Sequence, residues 1–326
     1  MRAIVISEPG GPEVLEIQEV ADPVAGPGEV LIEVKAFGVN HAETHMRKGE
    51  WPEATPISGI EAVGTVVSDP SGALAEGTKV LTIMGGLGRT RNGSYAKYTV
   101  APVANVVAID TTLDWPELAA IPESYATAWL ALHGNLELRA GQTLLVRGGT
   151  SALGQAAVNI GRELGARVIA TTRGESRTAL LRSLGASDVV IDDGTIAGKI
   201  RELVPGGADR VLDLVGNSVL RDSVQAAATN GRVCQAGFLG GLGPVADFLP
   251  AFDLPSGVQF SFFGSFEVGT PAFPISAIPF AEIVVNVEAG VYQAKPARVF
   301  GFEEIAEAHR VMESGQAGGK LVVLGA

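Results

Sequence analysis

Apolar and polar positions alternate along much of the first third of the chain, as in 30-VLIEVKAFGV-39. That is the period of a half-buried strand. Short strands broken by Gly and Pro are predicted at Ala3–Ser7, Val14–Glu19, Glu29–Gly38, Ala62–Val67, Lys79–Met84 and Tyr95–Val100. No helical period is clear before Glu117. The middle third reads differently. Continuous apolar, β-branched runs at 143–148, 166–172, 188–192, 210–216, 231–238 and 258–264 alternate with helical stretches at 153–165, 175–185, 195–204 and 219–229. Apolar strands separated by helices imply a parallel sheet covered on both faces, and six of them suit a doubly wound, dinucleotide-binding sheet. After Gly264 the pattern predicts a helix at Ile275–Ala289, a strand at 297–302, a helix at Glu303–Ser314 and a last strand at 320–324. That tail is too short to form a core alone and is expected to rejoin the first domain. The expected division is therefore a β domain from 1–121 and 266–326 around a doubly wound domain at 122–265.

The 326 residues are 46% apolar and 18% charged, which supports sizeable cores and argues against disorder. The net charge is −12 and no Lys/Arg cluster stands out, so nucleic acid is not expected as a partner. One cysteine, Cys234, excludes a disulfide framework and a Cys-rich structural zinc site. Neither a signal peptide nor an apolar run of membrane-spanning length is seen, and a cytoplasmic location is expected.

The segment 148-GGTSALG-154 follows an apolar strand and opens a helix, the context of a pyrophosphate-binding turn. Gly149, Ser151 and Gly154 fall at the three glycine positions of the fingerprint, with Ser as a departure at the middle one. Gly148, Thr150, Ser151, Ala152 and Leu153 are the candidate phosphate-loop residues. A lone loop of this kind is also an ordinary strand–helix turn; six alternating strands favour the cofactor reading. NAD-binding chains place Asp or Glu at the end of the second strand. Here that position reads 171-TTRGESR-177, and Thr172, Arg173 and Arg177 suit a 2′-phosphate. Glu175 partly offsets that charge. NADPH is the expected cofactor.

With these residues in hand, the chain resembles the medium-chain dehydrogenase/reductase superfamily, and within it the zinc-independent quinone oxidoreductase group. The resemblance rests on 27-PGEVLIEVKAFGVNHAETHMRKG-49, 58-SGIEAVGTV-66, 93-GSYAKYTV-100, 121-IPESYATAWLAL-132, 147-RGGTSALGQAA-157, 185-GASDVVID-192, 212-LDLVG-216 and 318-GGKLVVL-324. It implies an α/β chain with a GroES-like β-barrel domain and a Rossmann domain. Zinc enzymes of the superfamily carry a cysteine after the strand matched by 30–39 and a Gly-His-Glu further on. Here the latter reads 59-GIE-61, and no cysteine precedes Cys234. His41 and His45 share a helical spacing, but Glu43 between them falls away from their face. No metal is expected.

The resemblance implies hydride transfer from NADPH to a quinone, enone or enal. It places Asn40 near nicotinamide and substrate, Thr127, Phe238, Leu239 and Phe263 near the nicotinamide, Arg177 on the 2′-phosphate, and Lys320 close to the cofactor. His45 and Trp51 stand where relatives often carry Tyr, and Tyr125 is a further candidate. Either His45 donates a proton or hydrogen bond to the acceptor, or it shapes the pocket and water protonates the product. The alternatives are a NADPH-binding protein with little turnover and a zinc-dependent alcohol dehydrogenase. A homodimer through the last Rossmann strand, 258-VQFSFFGSF-266, is also expected.

Overall fold

The computed structural model describes residues 1–326 and divides into two compact units. The first comprises Met1–Ala126, Phe266–Gly290 and Ala294–Ala326; the second comprises Thr127–Ser265 with Val291–Gln293.

The first unit is built on a seven-stranded sheet. Its path runs Arg298–Phe300, Leu321–Leu324, Glu29–Val39, Glu61–Ser68, Lys79–Ile83 and Val106–Ala108, and Tyr98–Pro102 also pairs with Glu29–Val39. Glu29–Val39 is the hub because its alternating pattern lets one face enter the core while both edges pair. The core on one side gathers Phe37, Val39, Tyr95, Phe300, Phe302, Ile305 and Leu321. A helix, His41–Arg47, leaves the end of this central strand.

The second unit holds six parallel strands: Thr143–Arg147, Arg167–Thr172, Asp188–Ile191, Ala208–Asp213, Ala227–Gln235 and Gln259–Phe262. Counted along the chain, their order in the sheet is 3-2-1-4-5-6, that of a dinucleotide-binding sheet. The strand order reverses beside Thr143–Arg147, so the turn after that strand opens at the topological switch point.

Several elements differ from their pattern-based limits, each for a physical reason. The helix expected over 219–229 ends at Gln225, and Ala227 already pairs with Ala208. Sheet pairing outweighs the helical preference of three consecutive alanines. The helix expected over 275–289 begins only at Phe280. Pro279 precedes it and lacks the amide needed to continue from the turn at Ile275–Ala277. The helix Pro122–Leu130 has no amphipathic period because nearly every side is buried.

Candidate functional site

In the second unit the chain leaves Arg147 and turns through Gly148 and Gly149 into the helix Ala152–Glu163. Ser151 is its N-cap, with φ −70° and ψ 161°. Its hydroxyl donates to the Gly148 carbonyl (2.8 Å) and accepts from the Gly154 amide (3.0 Å). This explains serine at the middle fingerprint position: the backbone there is extended and needs no glycine, while the hydroxyl closes the turn. The amides of Ala152 and Leu153 lie in the first helical turn and have no intrahelical acceptor, so they can receive an anion. Gly154 packs directly on Gly148 and Gly149; an added Cβ would lie 2.8 Å from the Gly149 carbonyl carbon. A flat backbone cradle at a helix N-terminus fits the pyrophosphate of a nicotinamide dinucleotide.

The end of Arg167–Thr172 carries no acidic side chain. The buried Thr171 hydroxyl accepts from the Gly148 amide (3.0 Å), so it holds the loop to the neighbouring strand. The Thr172 hydroxyl is engaged locally with Gly174. Arg173 is exposed, and Arg177 closes the short turn Glu175–Arg177 ahead of the helix Thr178–Leu184. Of the other residues proposed for the cofactor, Phe238 packs on Phe262 at 5.8 Å and Phe263 is buried. Leu239 covers Gly148: a Cβ added there would meet Leu239 Cδ1 at 3.3 Å. Thr127 is buried in the helix Pro122–Leu130, and the Thr150 carbonyl accepts from Gln155 Nε2.

Beneath this loop sits a charge cluster that the motif reading missed. Arg147 is fully buried and pairs with both oxygens of Asp192 (2.8 and 2.9 Å). It also donates to Asp222 Oδ2 (2.7 Å) and the Ser223 hydroxyl (2.9 Å). Burial alone would lower its pKa, but the Asp192 bonds outweigh this and raise it. Against the same burial, the Arg147 bonds hold Asp192 below the ordinary carboxylate range. Asp222 in turn accepts from the amides of Ile196 and Ala197 at the start of the helix Ala197–Leu203. A signal was present in 143-TLLVRG-148: an arginine within an apolar strand run must be paired when buried.

In the first unit Asn40 caps the helix His41–Arg47 and lies inside a second polar cluster. Its side-chain Nδ2 donates to Glu61 Oε1 (2.9 Å) and Glu43 Oε1 (3.3 Å), and its Oδ1 accepts from Lys320 Nζ (2.6 Å). Lys320 also forms a short ion pair with Glu61. Gly38 makes room for that pair, since a Cβ there would collide with both partners. Lys320, expected at the cofactor, therefore commits its ammonium to Glu61 and Asn40. Glu43 is fully buried and accepts from the amides of Asn40 (2.9 Å) and Ile60 (3.2 Å). Burial first, and then the neighbouring Glu61, push its carboxyl up to about 8.

Neither His41 nor His45 is among the side-chain hydrogen-bond partners of that cluster. His45 Nδ1 is 2.5 Å from Glu50 Oε2. Burial, then His45, lowers His41 to about 4. No group of three or more His, Cys, Asp or Glu side chains is arranged to hold a metal ion. Trp51 packs edge-on against Phe266 at 6.3 Å, with the Arg89 guanidinium over both rings. Tyr125 is buried in the helix Pro122–Leu130. The structure thus gathers Asn40 and Lys320 into one cluster, keeps His45 and Trp51 in separate contacts, and adds Glu43 and Glu61.

Comparison with known proteins agrees with this architecture. Residues 26–111 match the family model of the alcohol dehydrogenase GroES-like domain, and residues 152–282 match that of the zinc-binding dehydrogenase. A quinone oxidoreductase of Lama guanicoe is 30% identical over 99% of this chain and 97% of its own. A solved NAD-dependent alcohol dehydrogenase is 30% identical with a TM-score of 0.85, covering 100% of both chains. A mycobacterial protein solved in complex with NADPH is 26% identical with a TM-score of 0.88, covering 99% of this chain and 100% of its own. The chain belongs to the medium-chain dehydrogenase/reductase superfamily, in its quinone oxidoreductase group, with a GroES-like domain and a Rossmann domain. It is accordingly an oxidoreductase. No helix is long and apolar enough to cross a membrane.

Proposed function

We propose that this chain is an NADPH-dependent, zinc-independent reductase of quinones or α,β-unsaturated carbonyls. The observation that carries the cofactor choice is the end of the strand Arg167–Thr172, which closes on two threonines rather than a carboxylate and is followed by Arg173 and Arg177, with Glu175 between them. One neighbour was solved with NADPH and another is described as NAD-dependent, so overall likeness does not choose between them, and the local chemistry supports NADPH. Zinc independence is supported by Ile60 at the position of the histidine ligand, and by Asn40 and Glu61 joining Lys320 in an ion network. The acceptor class follows from the quinone oxidoreductase relatives and from chemistry. A conjugated acceptor can take a hydride without a Lewis acid, which favours this class.

Bound NADPH would supply the hydride. The chain would bind its pyrophosphate with the first-turn amides of Ala152 and Leu153 and the turn at Gly148–Thr150, and its 2′-phosphate with Arg173 and Arg177. Thr127, Phe238, Leu239 and Phe263 would line the nicotinamide. Asn40, His45, Trp51 and Tyr125 would stand on the acceptor side. His45 would hold its Nδ1 on Glu50, so its Nε2 could donate only as the imidazolium.

The test is NADPH oxidation with 9,10-phenanthrenequinone, 1,4-benzoquinone, an enal and an enone, with NADH in parallel and with chelator added. Chelator-resistant turnover with a preference for NADPH is expected. Replacing Arg173 and Arg177 together by alanine should weaken NADPH by roughly 10- to 100-fold, about 1.4–2.7 kcal/mol, and leave NADH nearly unchanged. Equal loss for both cofactors would defeat the 2′-phosphate assignment. Tight NADPH binding without turnover of any acceptor would identify a binding protein instead.

A homodimer belongs to the same proposal. Gln259–Phe262 is the edge strand of its sheet and leaves Phe260 and Phe262 42% and 47% exposed. An unprotected apolar edge is a pairing surface. Light scattering at micromolar concentration should give twice the 33.6 kDa chain mass, and a monomer would overturn it.

A further inference from the structure

Asn40 is bound on all sides by ionisable groups. Its amide nitrogen meets two carboxyls, Glu43 and Glu61, and its carbonyl oxygen meets the Lys320 ammonium. These contacts come from three separate stretches of the chain: the helix His41–Arg47, the strand Glu61–Ser68 and the approach to Leu321–Leu324. An amide flipped end for end would turn its oxygen on the carboxyls and its NH₂ on the ammonium, so only one orientation is satisfied.

We propose that Glu43, Glu61 and Lys320 are positioning residues for Asn40, that Glu61 and Lys320 between them fix the amide in its reactive orientation, and that the cluster carries one proton, which neutralises the buried trio. The inference rests on the reductase reading, which puts Asn40 beside the acceptor. The charge count supports the proton. With both carboxyls ionised the buried trio carries −1; one proton makes it neutral. Burial and Glu61 place that proton on Glu43. The other titratable groups facing the cluster are Tyr95, Arg47 and Glu123. Burial, then Glu43 and Glu61, keep the Tyr95 phenol neutral, with Arg47 opposing. Glu123 offers its backbone amide to Glu61 Oε2 (2.8 Å), and its charge favours the Lys320 ammonium.

The experiment compares E43Q, K320R and K320M with the wild type as full-length, NADPH-saturated enzyme reducing 9,10-phenanthrenequinone. NADPH affinity is measured separately by fluorescence. Wild-type kcat should fall as pH rises through about 8, with the loss of one proton. E43Q should lack that limb. K320M should lower kcat roughly 10- to 100-fold through misplacement of Asn40, with NADPH affinity unchanged within about twofold and K320R restoring most of the loss. Weaker NADPH binding by K320M with unchanged kcat would instead make Lys320 a cofactor ligand and overturn the proposal. So would an E43Q pH profile identical to wild type. Infrared spectroscopy of the protein without acceptor supplies a readout independent of turnover: a buried protonated-carboxyl band, titrating near 8 and missing from E43Q, is expected. A chain inactive with every acceptor yet showing this band would defeat the reductase reading and keep the Glu43 proton; absence of the band would defeat that proton whatever the activity.

Discussion

Replacing Gly154 by alanine is expected to remove nucleotide binding while leaving the fold in place. The new Cβ would collide with the Gly148 carbonyl oxygen and come within 2.8 Å of the Gly149 carbonyl carbon. These are backbone atoms of the phosphate turn, so no side-chain rotamer relieves the clash. The turn must move away from the helix Ala152–Glu163, and its amides then no longer converge on one anion. NADPH should bind at least about 100-fold more weakly, about 2.7 kcal/mol, by fluorescence titration. The cost in stability should be that of modest overpacking, about 1–3 kcal/mol. Gly161 supplies the control. It lies in the same helix, and a Cβ there would crowd Leu144 Cδ2 at 2.8 Å and Val168 Cγ2 at 3.1 Å, which are side-chain atoms in the core. G161A should therefore cost stability with little effect on NADPH. Equal nucleotide affinity of G154A and wild type would show that the turn is not the phosphate cradle.

How much of this was legible in the sequence depends on whether a feature is local. The six parallel strands and the turn at 148–154 are local: each strand is a continuous apolar run, and the turn is marked by its glycines and by the helix that follows. Ser151 was visible as a departure, but its reason was not, because the hydroxyl answers to groups three residues away on either side. The two charge clusters were hidden for a different reason. Lys320 reaches Glu61 across 259 positions and Asn40 across 280, and Arg147 reaches Asp222 across 75. Periodicity reports which face of an element is buried, and says nothing of which ion meets which. What the sequence did carry was a charge inside an apolar run, Glu61 in 58-SGIEAVGTV-66 and Arg147 in 143-TLLVRG-148. Each such residue demands a partner of opposite sign, and finding that partner requires the fold.

Arg147→Met should be the most destabilising single change in the second unit. The arginine is fully buried, and its guanidinium answers two carboxylates from two elements: Asp192, after the strand Asp188–Ile191, and Asp222, in the helix Leu220–Gln225. Methionine fills much of the volume, so the loss is electrostatic rather than a cavity. It leaves Asp192 and Asp222, both little exposed, without their common partner, at a cost of about 3–5 kcal/mol. Thermal unfolding should fall by on the order of 10 °C. The effect should reach the cofactor through Thr171, whose hydroxyl holds the Gly148 amide and lies 3.4 Å from Asp192 Oδ2. Nucleotide affinity should drop as well. Arg147→Lys keeps the charge and loses the paired bonds to Asp192, so it should fall between the two. The decisive variant is R147M combined with D192N and D222N. If the penalty is unpaired charge, removing the carboxylates should recover a large part of the lost stability. If R147M and the triple variant melt at the same temperature, the arginine acts through shape, and the electrostatic account of this cluster is wrong.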